Sequence, residues 1–327
     1  MKVCIFGAGA IGLLIGTRLA QSGCDVSAVA RGATAAALRT HGMRVRSGDS
    51  TTSARVTVAE DPAALDAQDL VVVAVKGPAM ASVAARIAPL LSADTMVLTA
   101  MNGVPWWFFH GFGGRFAGTR LESIDPDGAI AAAIPDRHII GCVVHIASAS
   151  PEPGLARHAF GNQLIIGEPD GRTSPRVQAL SDTLARAGFA APVSASIQAD
   201  IWYKLWGNMT MNPVSALTGA TGDRILDDPL ILKFCLDVMA EAAAIGTQIG
   251  CPIAQSGADR IAITRTLGAF RTSMLQDVEA GKPVELDALV AAVREIGQLA
   301  CIATPNIDTL LGLARLQARV RGLYPWA

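Results

Sequence analysis

Short apolar runs alternate with helix-compatible stretches through the first part of the chain. Four of these runs predict strands, at residues 2–6, 25–30, 70–75 and 95–100. The run at 70–75 contains no polar position, which is typical of a strand buried on both faces of a parallel sheet. Residues 13–22 and 78–91 lie between these strands and have a helix-compatible composition. This alternation predicts a doubly wound sheet.

The pattern changes in the second part of the chain. Strands are still predicted at 139–147 and 164–167, and a helix at 176–187. From about residue 196, Ala- and Leu-rich stretches predict helices at 197–211, 229–249, 254–279 and 284–301. We therefore expect two domains, 1–195 and an all-helical 196–327, with the loop 188–196 as a candidate hinge.

Composition narrows the classes of partner. The 327 residues are enough for two domains, and 27 basic residues nearly cancel 28 acidic ones. With only 5% aromatic residues, nothing favours a nucleic-acid surface or an anionic membrane. No apolar run reaches the ~18 residues of a spanning helix. We expect small-molecule partners, with neither nucleic acid nor membrane involved.

Cysteine and histidine usage bears on location and chemistry. The chain enters a Gly-rich turn directly after residue 6, which leaves no room for a secretory signal. Its six cysteines lack C-x-x-C spacing, which favours reduced thiols in a cytoplasm. The five histidines lack metal-ligand spacing, and neither G-x-S-x-G nor H-E-x-x-H occurs. We expect a cytoplasmic protein that needs no metal.

A glycine motif stands where the first strand meets the first helix. It reads Gly7-Ala8-Gly9-Ala10-Ile11-Gly12. Small residues at such a turn let a pyrophosphate approach the backbone, and the helix N-terminus offers N–H groups to it. The context after a strand and before a helix distinguishes the motif from a chance match. It predicts an N-terminal Rossmann dinucleotide-binding domain, so the fold class is α/β with an all-helical C-terminal domain.

The end of the second strand indicates which dinucleotide is bound. The adenosine ribose is usually met there by an Asp or Glu, whereas this chain reads Ala28-Val29-Ala30-Arg31. A carboxylate would repel a 2′-phosphate, and the forked donors of Arg31 suit one. NADP is therefore favoured over NAD, although a loop arginine is also commonly a solvated cation.

Lysine is rare in this chain, with five lysines against 22 arginines. A lysine retained against that bias is a candidate for chemistry that arginine does not perform, although an exposed cation is the plain alternative. Lys76 and Asn102 follow predicted parallel strands, and ligands bind at the carboxyl ends of such strands.

Lys204, Asn208 and Asn212 are spaced by four residues within the helix predicted at 197–211 and its end. In a continuous helix they form one polar stripe beside apolar neighbours. The stripe faces either a cleft or water, and Pro213 is expected to end or kink the helix. Two further polar residues, Ser273 and Glu285, are not identified as functional by their positions alone. For Glu285 there is a structural explanation, because a Glu at a helix start complements the helix dipole.

Taken together, these motifs resemble the ketopantoate reductase family (2-dehydropantoate 2-reductases). The shared elements run through nearly the whole chain. They are the glycine motif, Val75-Lys76, Asn102-Gly103, Trp202-x-Lys204-Leu205-x-x-Asn208-x-x-x-Asn212-Pro213, and Ser273-Met274-Leu275-Gln276-Asp277 with Glu285. The last two elements of this list are the most specific to the family.

The resemblance implies an active site in a cleft between the two domains, where NADPH gives a hydride to C2 of ketopantoate. Lys204 is implied to be the general acid, with Glu285 as a second catalytic residue. Substrate binding is implied for Asn102, Asn208, Asn212 and Ser273. Cofactor binding is implied for Gly7, Ala8, Gly9, Ala10, Ile11, Gly12, Arg31, Lys76, Asn102, Ile146 and Glu285.

Two departures from the family pattern affect the substrate. Gly222 stands where the family often carries an asparagine that reaches the substrate. The segment 105–139, with Trp106-Trp107-Phe108-Phe109, is longer than in the shortest members, and we expect it to lie beside the cofactor cleft and reshape the pocket. These departures leave the type of reaction intact, so the sequence defines the reaction better than it defines the substrate.

Two alternatives remain open at this stage. One is an NADP-dependent reductase or dehydrogenase of another 2-oxo or 2-hydroxy acid on the same scaffold. The other is a non-catalytic NADP-binding sensor, which the retained Lys204, Asn208, Ser273 and Glu285 disfavour. The Ala- and Leu-rich C-terminal helices are compatible with a homodimer, but they would also pack within one chain.

Overall fold

The computed structural model describes residues 1–326, and these divide into two compact units. One, here called the sheet unit, comprises Met1–Met101 and Asp127–Asp200. The other, the helical unit, comprises Asn102–Pro126 and the chain from Ile201 onward. The chain therefore leaves the sheet unit, returns to it and leaves it again.

Nine strands form one mixed sheet in the sheet unit. In chain order they are β1 Lys2–Phe6, β2 Asp25–Val29, β3 Met43–Ser47, β4 Ser50–Ala54, β5 Thr57–Ala59, β6 Leu70–Val73, β7 Met96–Thr99, β8 Ile139–Glu152 and β9 Leu155–Gly167. The order across the sheet is β4-β3-β9-β8-β7-β6-β1-β2-β5. From β5 to β8 the neighbours are parallel, and β9 returns antiparallel to β8.

The register aligns the carboxyl ends of the central strands. Phe6, the last residue of β1, pairs with Val29 at the end of β2 and with Val73 at the end of β6. The turns that follow these three strands therefore begin at one edge of the sheet. This is the edge at which open α/β sheets bind their ligands.

Five helices belong mainly to the sheet unit. They are α1 Ala10–Gln21, α2 Gly32–His41, α3 Met80–Ala84, α4 Ala129–Ala133 and α5 Pro175–Arg186. Leu14 of α1 and Leu180 of α5 are fully buried in the same apolar core as Val3, Ile5 and Val72 of the strands. Burial on this scale stabilises a fold by roughly 1.5–3 kcal/mol per large apolar side chain.

The remaining helices build the helical unit. They are α6 Ile197–Thr218, whose first turn belongs to the sheet unit, α7 Gly222–Asp227, α8 Pro229–Gln248, α9 Gly257–Arg265, α10 Ser273–Glu279, α11 Ala292–Leu299 and α12 Pro305–Val320. A π-helical turn, Asp287–Ala291, leads directly into α11. The indole N–H groups of Trp202 and Trp206 donate to backbone oxygens of α8, at 3.2 and 2.7 Å, so one face of α6 is fixed against α8.

The expected fold class is confirmed, but several element boundaries were wrong. Pro213 lies inside α6 and does not end it, because the proline is buried and packing offsets the lost hydrogen bond. The single helix expected at 254–279 is two helices, separated by a loop that contains Gly268 in a left-handed conformation. Strands β3 to β5 and helix α2 were not predicted.

The segment 102–126 differs most from the sequence-based division, which placed it in the first domain. Trp106, Trp107, Phe108 and Phe109 are only 0–3% exposed. The Phe108 ring lies 6.0 Å from the ring of Trp202 on α6. The aromatic run therefore forms part of the core of the helical unit, and the expectation that its segment reshapes the substrate pocket stays a prediction.

The expected hinge at residues 188–196 is part of the sheet unit. Backbone hydrogen bonds join it to β9 on both sides, from Leu164 N to Ala190 O and from Ser194 N to Ile166 O, at 2.8 and 2.7 Å. The change of unit lies after Asp200, five residues beyond the predicted boundary. A segment held by such bonds is not a free linker.

Candidate active site

The glycine motif forms a tight turn between β1 and α1, and its glycines are required for different reasons. Gly7 has a φ of +108°, and Gly12 is buried where an added Cβ would lie 2.0 Å from the oxygen of Gly7. Gly9 has an ordinary φ of −86°, and an added Cβ would meet no atom within 4 Å. The fold itself therefore demands glycine at 7 and 12, whereas at Gly9 the missing side chain leaves open space.

The N-terminus of α1 faces that open space. Gly9 is the residue before the helix, and no side chain among residues 1–326 caps this end. Uncapped N–H groups at a helix N-terminus bind anions, and the exposed Gly9 lets a phosphate approach them closely. Ala8, Ala10 and Ile11 are half-buried along the same turn. The residues present fit the pyrophosphate of a dinucleotide.

Arg31 follows β2 at the same edge of the sheet. It is exposed, directly precedes α2, and makes no ion pair or side-chain hydrogen bond with the described part of the chain. Lys76 is half-buried after β6, just before a short 3-10 turn. Ile146 lies half-buried in β8. The predicted cofactor residues of the sheet unit thus lie on β1, β2, β6 and β8 or the turns that follow them.

The helical unit brings two predicted residues into direct contact. The Nζ of Lys204 donates a hydrogen bond of 2.8 Å to the Oδ1 of Asn102, although the two residues are 102 positions apart. Both side chains are half-buried. A fixed acceptor holds the amine in one orientation, which is what a proton donor at a defined atom requires.

Asn102 is itself positioned by the π-helical turn. The N–H of Val104 donates to the oxygen of Ala288 at 2.8 Å. Gly103, with a φ of +83°, lies so close that an added Cβ would come within 2.5 Å of the same oxygen. The Asn102-Gly103 pair is therefore a docking point between two chain segments, and π-helical turns are often found at functional sites.

Asn208 and Asn212 continue along α6 from Lys204. Asn212 is only 6% exposed, yet neither amide makes a side-chain hydrogen bond within residues 1–326. Their neighbour Thr210 is satisfied by the oxygen of Gly207 at 2.9 Å. Because buried amides normally have partners, two uncommitted ones beside a fixed lysine are candidates for ligand contact.

Ser273 and Glu285 lie on other elements of the helical unit. Ser273 is the exposed first residue of α10, which is capped by Thr272. Glu285 is half-buried and lies two residues before the π-helical turn. In that turn Asp287 accepts a hydrogen bond from the hydroxyl of Tyr324. Burial raises the pKa of Asp287 above its usual value, and the Tyr324 hydroxyl and the charge of Arg315 oppose that rise.

Two features near these residues were not found from the sequence. A Cβ at Gly222 would lie 2.0 Å from the ring of Phe270, so Phe270 occupies the space that a side chain would need there. Arg260 of α9 lies against Gly207 of α6. A glycine inside a long helix was the available signal for the second contact, because glycine costs about 1 kcal/mol there relative to alanine.

A glycine turn between a parallel strand and a helix, as in the sheet unit, is typical of oxidoreductases that use a nicotinamide dinucleotide. Residues 3–107 match the family model described as ketopantoate reductase PanE/ApbA, and residues 196–318 match the corresponding C-terminal model. The chain belongs to the ketopantoate reductase family, which confirms the resemblance seen in its sequence.

Full-length relatives support this assignment. The 2-dehydropantoate 2-reductase of Mesorhizobium japonicum is 45% identical over 99% of this chain and 100% of its own length. That of Halobacterium salinarum is 30% identical over 98% and 99%. A crystal structure from Ralstonia solanacearum MolK2, of a protein assigned to the ketopantoate reductases, is 57% identical with a TM-score of 0.96 and 99% coverage of both chains.

The described residues also exclude two other kinds of feature. Residues 1–326 contain no group of three or more His, Cys, Asp or Glu side chains arranged to hold a metal ion. In the same range, no helix combines the length and apolarity needed to cross a membrane.

Proposed function

We propose that the protein reduces ketopantoate (2-dehydropantoate) to pantoate with NADPH. The observation that carries the proposal is the Lys204–Asn102 hydrogen bond of 2.8 Å beside the uncommitted amides of Asn208 and Asn212. The name of the relative from Mesorhizobium japonicum, 2-dehydropantoate 2-reductase, supports the choice of substrate.

The sheet unit is proposed to bind the cofactor. Gly7 to Gly12 and the N-terminus of α1 hold the pyrophosphate, and Arg31 binds the 2′-phosphate of NADP. Lys76 and Ile146 are the other proposed cofactor contacts in this unit, with Asn102 and Glu285 proposed from the helical unit. Arg31 supports NADP in particular because it is exposed and has no carboxylate partner among residues 1–326.

Lys204 is the proposed general acid. When bound, the nicotinamide ring supplies the hydride for C2 of the 2-oxo acid. The Lys204 ammonium stabilises the negative charge that develops on the C2 oxygen and donates a proton to it, which is typically worth ~100 to 10,000-fold in rate. Asn102 orients the ammonium through its Oδ1, and Glu285 is the second proposed catalytic residue.

Asn208, Asn212 and Ser273 are the proposed substrate-holding residues, together with Asn102. Each amide offers both a donor and an acceptor, which suits a substrate that carries a carboxylate, a carbonyl and hydroxyl groups. The burial of Asn212 makes a hydrogen bond to substrate worth more there than at the surface.

A second candidate is the reduction of a different 2-oxo acid, or the reverse oxidation of a 2-hydroxy acid, on the same scaffold. The specific observation in its favour is Phe270, whose ring fills the space beside Gly222. A ring in place of a polar side chain favours substrates with a less polar tail, because pocket contacts rather than the acid decide among such substrates.

The testing experiment is NADPH oxidation with ketopantoate, pyruvate, 2-oxoisovalerate and bulkier 2-oxo acids, repeated with NADH. Preferred turnover of ketopantoate supports the proposal. Preference for another oxo acid would change the assigned substrate but not the assigned type of reaction. Lys204→Ala should lose ~100-fold or more in turnover and still bind NADPH. If wild type and Lys204→Ala are equally inert while NADPH binds, a non-catalytic NADP sensor replaces both candidates.

A cytoplasmic location and a homodimer are also proposed. The six cysteines are free within the described residues, which supports a reducing compartment. Leu313 and Leu316 of α12 are 56% and 55% exposed beside an apolar groove that Ile231 and Phe234 also line. Exposed apolar grooves favour association, and light scattering of the purified protein determines its mass in solution.

A further inference from the structure

Arg260 is held against helix α6 by contacts on two sides. Its Nε and one terminal nitrogen each lie 3.2 Å from the point where a Cβ of Gly207 would stand. Its guanidinium carbon lies 4.9 Å from the ring centroid of Tyr203, and its Nη1 donates to the Tyr203 hydroxyl at 3.3 Å. That hydroxyl donates in turn to the Oε1 of Gln255 at 2.7 Å. The side chain is therefore fixed by an aromatic face and a hydrogen-bonded phenol.

The contact depends on the absence of a side chain at Gly207. Glycine inside a helix is less favourable than alanine, because its backbone loses more conformational entropy on folding. Here the missing methyl group provides the space against which the guanidinium packs. The helix thus carries an unfavourable residue at the position where Arg260 packs against it.

The charge of Arg260 is not neutralised by the protein. Arg260 makes no ion pair with any carboxylate of residues 1–326, and its Nε is buried without a hydrogen-bond partner. On the same helix, Arg265 has an ordinary ion pair with Asp227 at 2.8 Å. A fixed, half-buried cation without an anion is suited to bind one from solution.

Helix geometry places this cation beside Lys204. Trp202 and Trp206 fix the side of α6 that faces α8, and Lys204 points away from that side. At about 100° per residue, Gly207 is roughly 60° around the helix from Lys204. Residues three apart have Cβ positions about 5–6 Å from each other. Two cations therefore flank one turn of α6, and Asn208 lies on the same turn.

We propose that Arg260 binds the carboxylate of the 2-oxo acid substrate while Lys204 acts on its carbonyl oxygen. The inference rests on the proposed function, since it assumes a substrate of this class. An arginine fork matches a carboxylate with two parallel hydrogen bonds, which a solvated lysine does not provide. Selectivity for acids over neutral ketones then comes from Arg260.

The experiment compares ketopantoate with its lactone, which has the same reacting ketone and no carboxylate. In Arg260→Met, kcat/KM for ketopantoate should fall by about 10- to 100-fold, mainly through KM, as expected for loss of a charged hydrogen bond. Turnover of the lactone should stay within about twofold of wild type. Arg260→Lys should recover only part of the loss, because it keeps the charge without the fork.

Arg265→Met is the matched control, because it removes one positive charge from the same helix at a residue already paired with Asp227. It should leave the acid-to-lactone ratio unchanged. If kcat/KM in Arg260→Met falls equally for the acid and the lactone, or falls for neither, the inference is overturned, because the side chain would then not bind the carboxylate.

Equilibrium binding of oxamate, a small mimic of a 2-oxo acid, separates this inference from the proposed function. If wild type does not reduce ketopantoate, the proposed substrate fails. Arg260 as a carboxylate site still stands if oxamate binds the wild type at least tenfold more tightly than Arg260→Met. If oxamate binds both proteins equally, or binds neither, the carboxylate site is rejected.

Discussion

At the residue scale, Gly9 and Gly12 form a natural matched pair. Gly9→Ala adds a methyl group to open space, so it should cost less than about 1 kcal/mol in unfolding free energy. It should weaken NADPH binding by tenfold or more, because the methyl group occupies the approach of the pyrophosphate. Gly12→Ala should instead cost at least about 2 kcal/mol, because its methyl group meets the Gly7 oxygen.

Urea unfolding and fluorescence titration with NADPH measure the two quantities separately. If Gly9→Ala bound NADPH as well as the wild type, the open space beside α1 would not be the pyrophosphate site. The test needs no substrate, so it is independent of which oxo acid is reduced.

The prediction that NADP is preferred over NAD depends on Arg31. Arg31→Asp removes the proposed partner of the 2′-phosphate and introduces a charge that repels it, so kcat/KM should shift towards NADH by tenfold or more. Stability should hardly change, because Arg31 is exposed and unpaired within residues 1–326. The nearby Arg39, which pairs with Glu60, provides a control. An NADPH-to-NADH ratio equal to that of the wild type would refute the assignment.

At the scale of elements, Asp287 in the π-helical turn is expected to make the free energy of unfolding depend on pH. Burial raises the pKa of Asp287, so its ionisation opposes folding. This contribution is fully favourable below the ordinary Asp value of about 4 and is lost as pH rises through the raised native value. Asp287→Asn does not ionise, so its unfolding free energy should improve relative to wild type as pH increases across that window.

Urea unfolding of both proteins at several pH values from 3 to 7 checks this sign. Tyr324→Phe is the companion variant, because it removes the hydroxyl that donates to Asp287. A constant difference between Asp287→Asn and wild type over the whole range would show that Asp287 does not titrate abnormally.

The elements that sequence patterns predicted well are those whose residues, apart from the first residue of β1 and of β2, are buried. Strands β1, β2, β6 and β7 were found because their apolar runs have no exposed side. Strand β4 was missed because its sequence, STTSA, is polar and mostly exposed at the sheet edge. Hydrophobic patterns do not reveal a strand whose side chains are mostly polar and exposed.

The candidate site divides in the same way. The stripe of Lys204, Asn208 and Asn212 follows from helical spacing, and its place on α6 agrees with that prediction. The contact of Lys204 with Asn102 joins positions 102 residues apart, so no local pattern contains it. Arg260 was missed for the same reason, since only the folded chain shows that it packs against Gly207.

At the scale of the whole molecule, the helical unit is made from two separate pieces of chain. A fragment of residues 196–327 lacks the aromatic run whose Phe108 packs beside Trp202. It also lacks the N–H groups of Glu122 and Ser123 that donate to the Glu295 carboxylate, at 2.7 and 2.9 Å. We expect this fragment to bind a hydrophobic dye and to lack a cooperative unfolding transition.

A fusion of residues 102–126 to the same fragment through a flexible linker is the comparison. It should regain near-ultraviolet circular dichroism and a cooperative transition, because it restores the aromatic core and the Glu295 contacts. Cooperative unfolding of 196–327 alone would show that the earlier segment is dispensable for this unit.

The two-piece origin of the helical unit also sets an order of events during synthesis. The run Trp106 to Phe109 emerges from the ribosome about 95 residues before Trp202, the residue it packs against. At about 5–20 residues per second, that interval is roughly 5–20 s. For this time Phe108 lacks its contact with Trp202, while β8 and β9 of the sheet are still being synthesised. We therefore expect a newly made chain to be recognised, for this short interval, by a chaperone that binds aromatic segments.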